Sequence, residues 1–494
     1  MRKTVALLFA LFFLTAQCVM VAKPVFSSVD AAEDTWATKA PMHVARSGLG
    51  VAVVDGKIYA IGGLLETVAA TGTNEEYDPA TDTWTYRKPM PTPRTSFGVE
   101  VYQDKIYCIG GAGGVNEVYG GVNEVYDPAT DAWETRASLP TPRESFATVV
   151  FRNRIYVIGG IVGRDFSKES LGAYTGVTEV YDPALDKWEK KASMVNAGFP
   201  EACVVINGEI YVISGFTTYA ESVSFTAVYD EDTDSWTNKA SMPVVQHGAA
   251  VVYDDKIYFM GGNSLLQIYD PSNDTWSEGA RLPVEGVSPK SAFMTTGDMA
   301  PQRIYVVHDP LRVYDPEKDV WTLGPSKTIS RSYMGVTVLN DKIYAIGGLT
   351  GVFLGFASHP QFDDTWHATN EVYTPVGYGT VPPVIDVVSP VNQTYNGSSV
   401  SLVFTVDKQV NWSGYSLDGQ DNVTVAGNTT IEGLSSGLHN VTVYARDELE
   451  NTGASETINF SVEAPFPTTL VIAPIASVVV VGVGLLVYFR KRRK

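Results

Sequence analysis

Arginine recurs at one position of a repeated segment, directly after the link between two repeats. It stands in the strings ARSG, PRTS, PRES and SRSY, while the corresponding link of a fifth repeat has glutamine and histidine. A guanidinium group binds a carboxylate or a sulfate through two parallel hydrogen bonds. We therefore predict a site for an acidic ligand, with an alternative in which the arginines cap turns or pair with neighbouring acids. The candidate ligand-binding residues are Arg46, Arg94, Arg143, His247 and Arg331.

Familiar catalytic and metal-binding patterns do not occur in the sequence. The six histidines show neither HxH nor HExxH spacing, there is no GxSxG string, and the paired glycines end strands and precede no helix. The string DEDTD at 230–234 lacks the glycine and glutamate of a calcium-binding EF-hand loop. Cys108 and Cys203 fall in predicted strands, where we expect buried thiols. We predict no catalytic residue, metal or cofactor, and leave open whether the protein is an enzyme.

Charge and length exclude several classes of protein. The 494 residues include 36 Lys and Arg against 55 Asp and Glu, and only three cysteines. A net charge of −19 argues against nucleic acid as a partner, and three cysteines cannot build a disulfide scaffold. Seven of the basic residues lie in the terminal segments 1–22 and 464–494, which contain no acid, so the rest of the chain carries −26.

The two ends have the composition of targeting and anchoring segments. Two basic residues precede an apolar run, which predicts a signal peptide over 1–22, with an uncleaved N-terminal anchor as the alternative. Leu470–Phe489 is uncharged and, at about 1.5 Å per helical residue, can cross a bilayer core of roughly 30 Å. We therefore predict a transmembrane helix over 468–489. The basic tail 490–494 would be cytoplasmic and the preceding domains extracellular.

Between these ends, two short strings occur seven times. The first has the form KIYAIGG, and its copies end at residues 63, 111, 160, 215, 262, 309 and 348. The second has the form EVYDPATDAW, and its seventh copy, at 371–375, lacks the tryptophan. Alternating and β-branched residues followed by Asp-Pro turns predict four short strands in each repeat. Repeats of this length are typical of propellers and solenoids.

These strings resemble the Kelch motif, in which a double glycine is followed by a tyrosine and a tryptophan. The resemblance covers about Asp34–Pro375 and implies an all-β fold with a seven-bladed β-propeller, which we place at 31–377. An isolated DTW string at 34–36 can supply the tryptophan that the last repeat lacks. We expect its strand to complete the seventh blade and close the ring, because an open ring would expose two unpaired sheet edges.

The resemblance also gives the recurring arginines a role. Kelch domains of ubiquitin-ligase adaptors bind acidic peptides through arginines at this motif position, which implies that the four arginines ring the mouth of a central channel. Long insertions at 161–177, 216–226 and 349–370 lie on the same face as the links. Loops displayed by a rigid scaffold usually carry recognition, so this face is the predicted binding face.

Three irregularities interrupt the repeat. Ser214 replaces the first glycine of the fourth copy, and His308 and Asp309 replace both glycines of the sixth. We interpret these replacements as sequence drift, with a variant pocket as the alternative. The heptad GGVNEVY occurs twice in succession, at 113–119 and 120–126, and either copy could pair in the sheet.

The composition changes after a Pro-Pro linker. Strand-like runs with Gly and Asn turns over 382–463 predict a β-sandwich, and the strings YSLDG and GLHNVTVYARDE resemble Ig-like modules of prokaryotic, especially archaeal, surface proteins. This segment has seven Asn-x-Ser/Thr sequons and the propeller has one, which predicts a glycosylated stalk. The candidate glycosylation sites are Asn273, Asn392, Asn396, Asn411, Asn422, Asn428, Asn440 and Asn459.

These features together predict a single-pass cell-surface protein whose propeller binds an extracellular protein or glycan, with acidic ligands favoured. We expect a monomer that has no nucleic-acid partner. The competing prediction is a carbohydrate-active enzyme, either a Kelch-type sugar epimerase or a galactose-oxidase-like copper oxidase, since the latter enzymes also join a Kelch propeller to an Ig-like domain. A structural component of the cell envelope is a third possibility, because a propeller fold by itself does not determine function.

Overall fold

The computed structural model describes residues 33–67, 69–113, 120–163, 172–216, 224–262, 264–283, 292–351 and 365–463. Within these ranges all regular secondary structure is β-strand. The predicted signal peptide, transmembrane helix and basic tail lie outside the described residues, as do the central parts of the three predicted insertions. Over the ranges that are described, there is no helix with the length and apolar character needed to span a bilayer.

Seven four-stranded antiparallel sheets, here numbered 1 to 7, lie between Thr35 and Thr374. In chain order their strands are Gly50–Val54, Lys57–Ile61, Asn74–Asp78 and Thr83–Arg87 in sheet 1; Gly98–Tyr102, Lys105–Ile109, Asn123–Asp127 and Ala132–Arg136 in sheet 2; Ala147–Phe151, Arg154–Ile158, Thr178–Asp182 and Lys187–Lys191 in sheet 3; and Phe199–Ile206, Glu209–Phe216, Phe225–Asp230 and Ser235–Lys239 in sheet 4.

The remaining three sheets follow the same plan. Their strands are Gly248–Tyr253, Lys256–Gly261, Leu266–Asp270 and Thr275–Glu278 in sheet 5; Ala292–Met294, Ile304–Val306, Arg312–Asp315 and Val320–Leu323 in sheet 6; and Gly335–Leu339, Lys342–Ile346, Asn370–Thr374 and Thr35–Lys39 in sheet 7. Two short strand pairs lie in connecting loops: Ile161–Val162 with Ala173–Tyr174, and Leu349–Thr350 with Thr365–Trp366.

The second and third strands form the buried middle of each sheet. In sheet 1, Lys57–Ile61 is buried at every position after the first, and Asn74–Asp78 at every position before the last. Strands covered on both faces are expected to be nearly continuous in apolar residues, and KIYAI follows this rule. The third strand begins with the polar residues Asn74, Glu75 and Glu76, whose buried side chains find hydrogen-bond partners inside the protein.

Buried apolar side chains join each sheet to the next. One cluster lies between each consecutive pair from sheet 1 to sheet 7. A further cluster joins sheet 7 to sheet 1, with Ile346 and Val372 packed among Ile58 and Trp84. The seven sheets are therefore linked in cyclic order by seven apolar interfaces, and burial of this surface is the main favourable term in their association.

Sheet 7 is assembled from both ends of this region. Thr35–Lys39 pairs antiparallel with Asn370–Thr374 and places Trp36 opposite Tyr373. The equivalent pair within sheet 1 is Tyr77 and Trp84, which both belong to the motif copy at 75–84. The strand that contains the DTW string thus completes the last sheet, as predicted.

The second copy of the duplicated heptad is the one that pairs in sheet 2. Asn123, in that copy, pairs with Ile109 of the preceding strand. The first copy falls almost entirely outside the described residues. The strand is buried on both faces, so Val125 and Tyr126 are both among the buried apolar residues.

Residues beyond 384 form two further sheets that share one apolar core, which includes Leu402, Ile431, Val443 and Phe460. One sheet contains Ile385–Ser389, Ser399–Val406 and Thr429–Glu432. The other contains Thr394–Asn396, Ile458–Glu463, Gly437–Arg446, Trp412–Leu417, Val423–Val425 and Thr452–Ala454. The sequence did not predict the short strands Thr394–Asn396, Thr429–Glu432 and Thr452–Ala454.

Candidate functional site

The four recurring arginines lie inside the protein, each beside a glutamate on the third strand of its own sheet. Arg46 Nη1 is 2.5 Å from Glu75 Oε1, and neither residue has measurable solvent exposure. Arg94 Nη2 is 3.1 Å from Glu124 Oε2. The other two ion pairs of this kind are Arg143–Glu179 and Arg331–Glu371.

A second bond fixes each guanidinium group to the backbone of the same sheet. Arg46 Nη2 donates a hydrogen bond to the carbonyl oxygen of Ala60, on the second strand, at 2.8 Å. Burial lowers the pKa of Arg46, and the carboxylate of Glu75 acts in the opposite direction. The corresponding carbonyl acceptors are Cys108 for Arg94, Val157 for Arg143 and Ala345 for Arg331. We call this unit, the arginine with its glutamate and carbonyl acceptor, the link clamp.

The link clamp differs from the expected ring of solvent-facing arginines. A buried charge is costly to leave unpaired, and here the carboxylate that pairs with each arginine comes from the chain itself. A carboxylate or sulfate from outside would have to displace that glutamate. The geometry matches the alternative in which the arginines pair with neighbouring acids. Ligand binding by Arg46, Arg94, Arg143 and Arg331 stays a prediction.

His247, the fifth candidate, is placed differently from the arginines. Its side chain is 51% exposed and its Nδ1 contacts Glu201. The adjacent Gln246 is buried and donates a hydrogen bond to the carbonyl oxygen of Leu265. In sheet 5, Gln267 takes the place of the glutamate and exchanges hydrogen bonds of 2.9 and 2.8 Å with the backbone of Val244. In sheet 5 an uncharged amide therefore connects the link to the third strand, as the ion pair does in sheets 1, 2, 3 and 7.

Four sheets share a further device next to the link clamp. Gly63 has a φ of +102°, and a Cβ there would lie 2.6 Å from the carbonyl oxygen of Ser47. Its lack of a side chain lets Leu64 pair with Ser47, which directly follows Arg46. The second glycines of sheets 2, 3 and 7 have similar φ values and close carbonyl neighbours: Gly111, Gly160 and Gly348. Only glycine adopts this backbone without strain, so the double glycine and the clamp occur together.

A separate set of polar contacts staples each sheet to the preceding one. In sheet 1 the hydroxyl of Tyr77 donates to Asp82 at 2.7 Å, and Asp82 accepts the backbone N–H of Ala40 at 2.9 Å. Trp84 Nε1 donates to the carbonyl oxygen of the same Ala40 at 2.7 Å. Five other sheets repeat the tyrosine–aspartate bond at 2.7–2.8 Å: Tyr126–Asp131, Tyr181–Asp186, Tyr229–Asp234, Tyr269–Asp274 and Tyr314–Asp319.

Sheet 7 makes the same staple with residues from both chain ends. Tyr373 donates to Asp34 at 2.9 Å, and Trp36 Nε1 donates to the carbonyl oxygen of Pro325 at 3.1 Å. Asp34 has a φ of +55°, close to the +53° of Asp82. Pro325 has no N–H group, so the backbone donor that Asp82 binds in sheet 1 has no counterpart here.

The structure brings most of the predicted glycosylation sites to the surface. Seven of the eight asparagines are exposed, and Asn440 is half-buried on a strand opposite Asn459. Exposure is required for glycosylation and does not by itself establish it. Occupancy of these sequons stays a prediction.

Cys108 and Cys203, the two cysteines of the described ranges, are free, and burial raises the pKa of the Cys108 thiol to about 12. The pKa of Cys203 is raised for the same reason. A thiol in this state is protonated at neutral pH and is a poor nucleophile. Across the described ranges, no three His, Cys, Asp or Glu side chains are grouped so that they could hold a metal ion.

Comparison with known proteins identifies a motif in the same sheets that have the link clamp. A family model of the Kelch motif matches residues 45–91, 93–140, 142–195 and 330–373, and a second Kelch-motif model matches 200–243. The chain therefore contains Kelch repeats. The first model covers sheets 1, 2, 3 and 7, which are the four that have the link clamp.

One curated protein resembles part of the chain. It is a halomucin of Haloquadratum walsbyi, 27% identical over 144 residues. The match involves 28% of this chain and 2% of the halomucin, so the chain spans a very small part of that protein.

Proposed function

We propose that this protein is a cell-surface binding protein in which the seven sheets are the blades of a closed propeller. The propeller presents a face for an extracellular protein or glycan, and residues 382–463 form a glycosylated, Ig-like stalk. A signal peptide at 1–22 directs export, and a helix at 468–489 anchors the chain with the tail 490–494 in the cytoplasm. The cyclic series of apolar clusters supports closure of the ring. The partial likeness to a halomucin agrees with a place on the cell surface.

The observation that carries a binding function is the unequal length of the connections. Most turns between first and second strands contain two residues, such as 55–56, and the six turns from third to fourth strands within the repeats contain four, such as 79–82. Connections between second and third strands vary from 262–265 to 347–369. The exception at the opposite edge is 295–303 in sheet 6. Length variation concentrated at one edge of a rigid scaffold is typical of a recognition surface.

The experiment that tests binding shortens one of these connections. Thr350 pairs with Thr365, so replacing 351–364 by Asn-Gly should close a two-residue hairpin without disturbing sheet 7. A glycan array and a pull-down from cell-surface extract, both with the full chain, should give ligands that the shortened variant no longer binds. Replacing Asp55 by Asn, in the turn at the opposite edge, is the matched control and should bind normally. Equal binding by all three proteins would contradict the proposal for this loop.

Topology and glycosylation need separate tests. A tag at the C-terminus should resist protease added to intact cells, whereas the Kelch repeats should be cleaved or released. Enzymatic or chemical deglycosylation should lower the mass of the chain, and most of the change should disappear when the sequons in 382–463 are removed. A chain without mass change, or a C-terminal tag open to protease, would reject the corresponding part of the proposal.

A further inference from the structure

Sheet 6 and the link that leaves it depart from the other sheets at three places. The links that enter sheets 1 to 6 each have a buried Met or Leu two residues after the carbonyl group that accepts the tryptophan hydrogen bond. These residues are Met42, Met90, Leu139, Met194, Met242 and Leu282. The link that leaves sheet 6 has Lys327 at this point, and its side chain has no exposure. Arg312 occupies the third-strand position of Glu75 and is also fully buried. His308 and Asp309 replace the double glycine.

These replacements leave more positive than negative charge in the interior. Lys327 Nζ lies 2.9 Å from Asp309 Oδ2, and the backbone N–H of Lys327 donates to the other oxygen of the same carboxylate. Arg312 has no ion pair within the described ranges, and its one hydrogen bond goes from Nη1 to the carbonyl oxygen of Pro310 at 3.3 Å. Arg312 Nε and Nη2 are buried without a partner. Asp309 therefore pairs with Lys327 and acts on Arg312 only at longer range.

A third basic group lies within electrostatic reach of both cations. His308 is half-buried, and burial lowers the pKa of its imidazole. The positive charges of Arg312 and Lys327 lower it further, while Asp309 acts against them. His308, Asp309 and Pro310, which closely precede Arg312 in the chain, are all partly open to solvent.

We propose that Arg312, Lys327 and His308, which together we call the sheet-6 basic cluster, bind an oxyanion group, a carboxylate or a sulfate. The two free nitrogens of Arg312 form a planar fork that matches the two oxygens of such a group. A guanidinium ion buried without a counter-ion is unfavourable, and the oxyanion supplies the charge that Glu75 supplies to Arg46 in sheet 1. This site is distinct from the proposed loop surface, and its existence does not depend on which ligand the loops bind.

Thermal unfolding of the full chain tests this proposal. Sodium sulfate, acetate, glucuronate and glutamate are compared with sodium chloride at equal ionic strength. We expect oxyanions to raise the Tm of the wild-type protein by about 2–4 °C, because a ligand that binds only the folded state stabilises it. A response to glucuronate but not to glutamate would indicate an acidic sugar as the source of the group, and the reverse would indicate a peptide carboxylate.

Two variants distinguish this site from general salt effects. Arg312→Met should abolish the oxyanion response and, in chloride, should have a Tm equal to or above that of wild type, because an unpaired buried charge has been removed. Arg143→Met removes a paired arginine, so it should lower the Tm and keep the oxyanion response. Lys327→Met, which restores the residue type of the other links, should weaken the response and serves if Arg312→Met does not fold.

Three results would overturn the proposal. The first is an equal oxyanion response in wild type and Arg312→Met, which would place the bound anion elsewhere. The second is a fall in Tm for Arg312→Met in chloride as large as that for Arg143→Met, which would mean that Arg312 is already paired. The third is no response in the wild-type protein to any of the four oxyanions.

Discussion

The cyclic series of seven sheets divides into two parts, here called the first half (sheets 7, 1, 2 and 3) and the second half (sheets 4, 5 and 6). The first half has the double glycine with positive φ and the buried arginine–glutamate pair in every sheet. Within the described ranges, sheets 4, 5 and 6 show neither, yet each keeps the tyrosine–aspartate bond. The repeat therefore contains two independent devices, the staple between sheets and the clamp that holds each link to its sheet.

The difference shows which device the architecture requires. The staple is kept even in sheet 7, where its residues come from the two ends of a long segment and Asp34 takes the place of Asp82. The clamp is replaced by a glutamine amide in sheet 5 and by a basic cluster in sheet 6. We infer that positions freed from the clamp in the second half are available for other interactions, whereas those in the first half are fixed by packing and charge.

The variant with the largest expected effect on stability removes one link clamp. Arg143→Met leaves Glu179 buried without a counter-charge, and we expect the free energy of unfolding to fall by about 3–5 kcal/mol. Arg136, whose partner Glu134 is largely exposed, provides the control. Arg136→Met should cost less than about 1 kcal/mol, because exposed ion pairs contribute little. Chemical denaturation followed by tryptophan fluorescence measures both changes.

A double variant sharpens the interpretation of this result. Replacing Arg143 and Glu179 together with apolar residues should recover much of the lost stability, since no charge is then left unpaired. If Arg143→Met were no more destabilising than Arg136→Met, the clamp would be dispensable and the contrast between the two halves would lose its physical basis.

The double glycine gives the next largest effect. Gly63→Ala places a Cβ 2.6 Å from the carbonyl oxygen of Ser47 at a φ of +102°, and we expect a cost of about 1–3 kcal/mol. Gly56→Ala also lies at positive φ, +69°, but its Cβ would have no neighbour within 4 Å. The difference between the two variants in denaturant midpoint isolates the close contact from the backbone strain. Equal losses would mean that backbone strain alone requires glycine at position 63.

Tyrosine hydroxyl groups test the staple at the junction of the chain ends. Tyr373→Phe removes the bond to Asp34, and we expect a loss of about 1 kcal/mol. Tyr156 is equally buried, but its hydroxyl has no hydrogen-bond partner within the described structure. Tyr156→Phe should therefore leave stability unchanged or raise it slightly. A loss in the Tyr156 variant that matched the loss in the Tyr373 variant would show that the bond to Asp34 contributes nothing specific.

The sequence alone predicted the features that recur as types of residue. Tyrosine, tryptophan and paired glycine mark every sheet or nearly so, and the stray DTW string could be assigned to the last sheet by counting tryptophans. Pairing of the arginines with acids was only the alternative prediction, and the partner glutamates were not identified, because Arg46 and Glu75 are 29 positions apart and each alone is typical of an exposed loop or strand end. Their burial depends on how the link folds back over the second and third strands, which no local pattern specifies.

The smallest predicted effect contrasts two histidines with pKa shifts of opposite sign. Burial lowers the pKa of His308 below 6.5, so the unfolded chain takes up a proton more readily, and stability falls as the pH decreases through 6.5. Hydrogen bonds to the Ser435 carbonyl oxygen and Asp418 raise the pKa of His439, so its contribution is present below pH 6.5 and is lost as the pH rises through the folded-state pKa.

Denaturation between pH 5 and 8 separates the two contributions. His308→Gln should reduce the loss of stability on acidification, and His439→Gln should increase it. The effect of His308 should also diminish in the Arg312→Met background, because one of the positive charges that oppose its protonation is then absent. If His308→Gln left the pH dependence unchanged in both backgrounds, His308 would not sense the buried charge of sheet 6, and the electrostatic contrast between sheet 6 and the clamped sheets would have to rest on Arg312 and Lys327 alone.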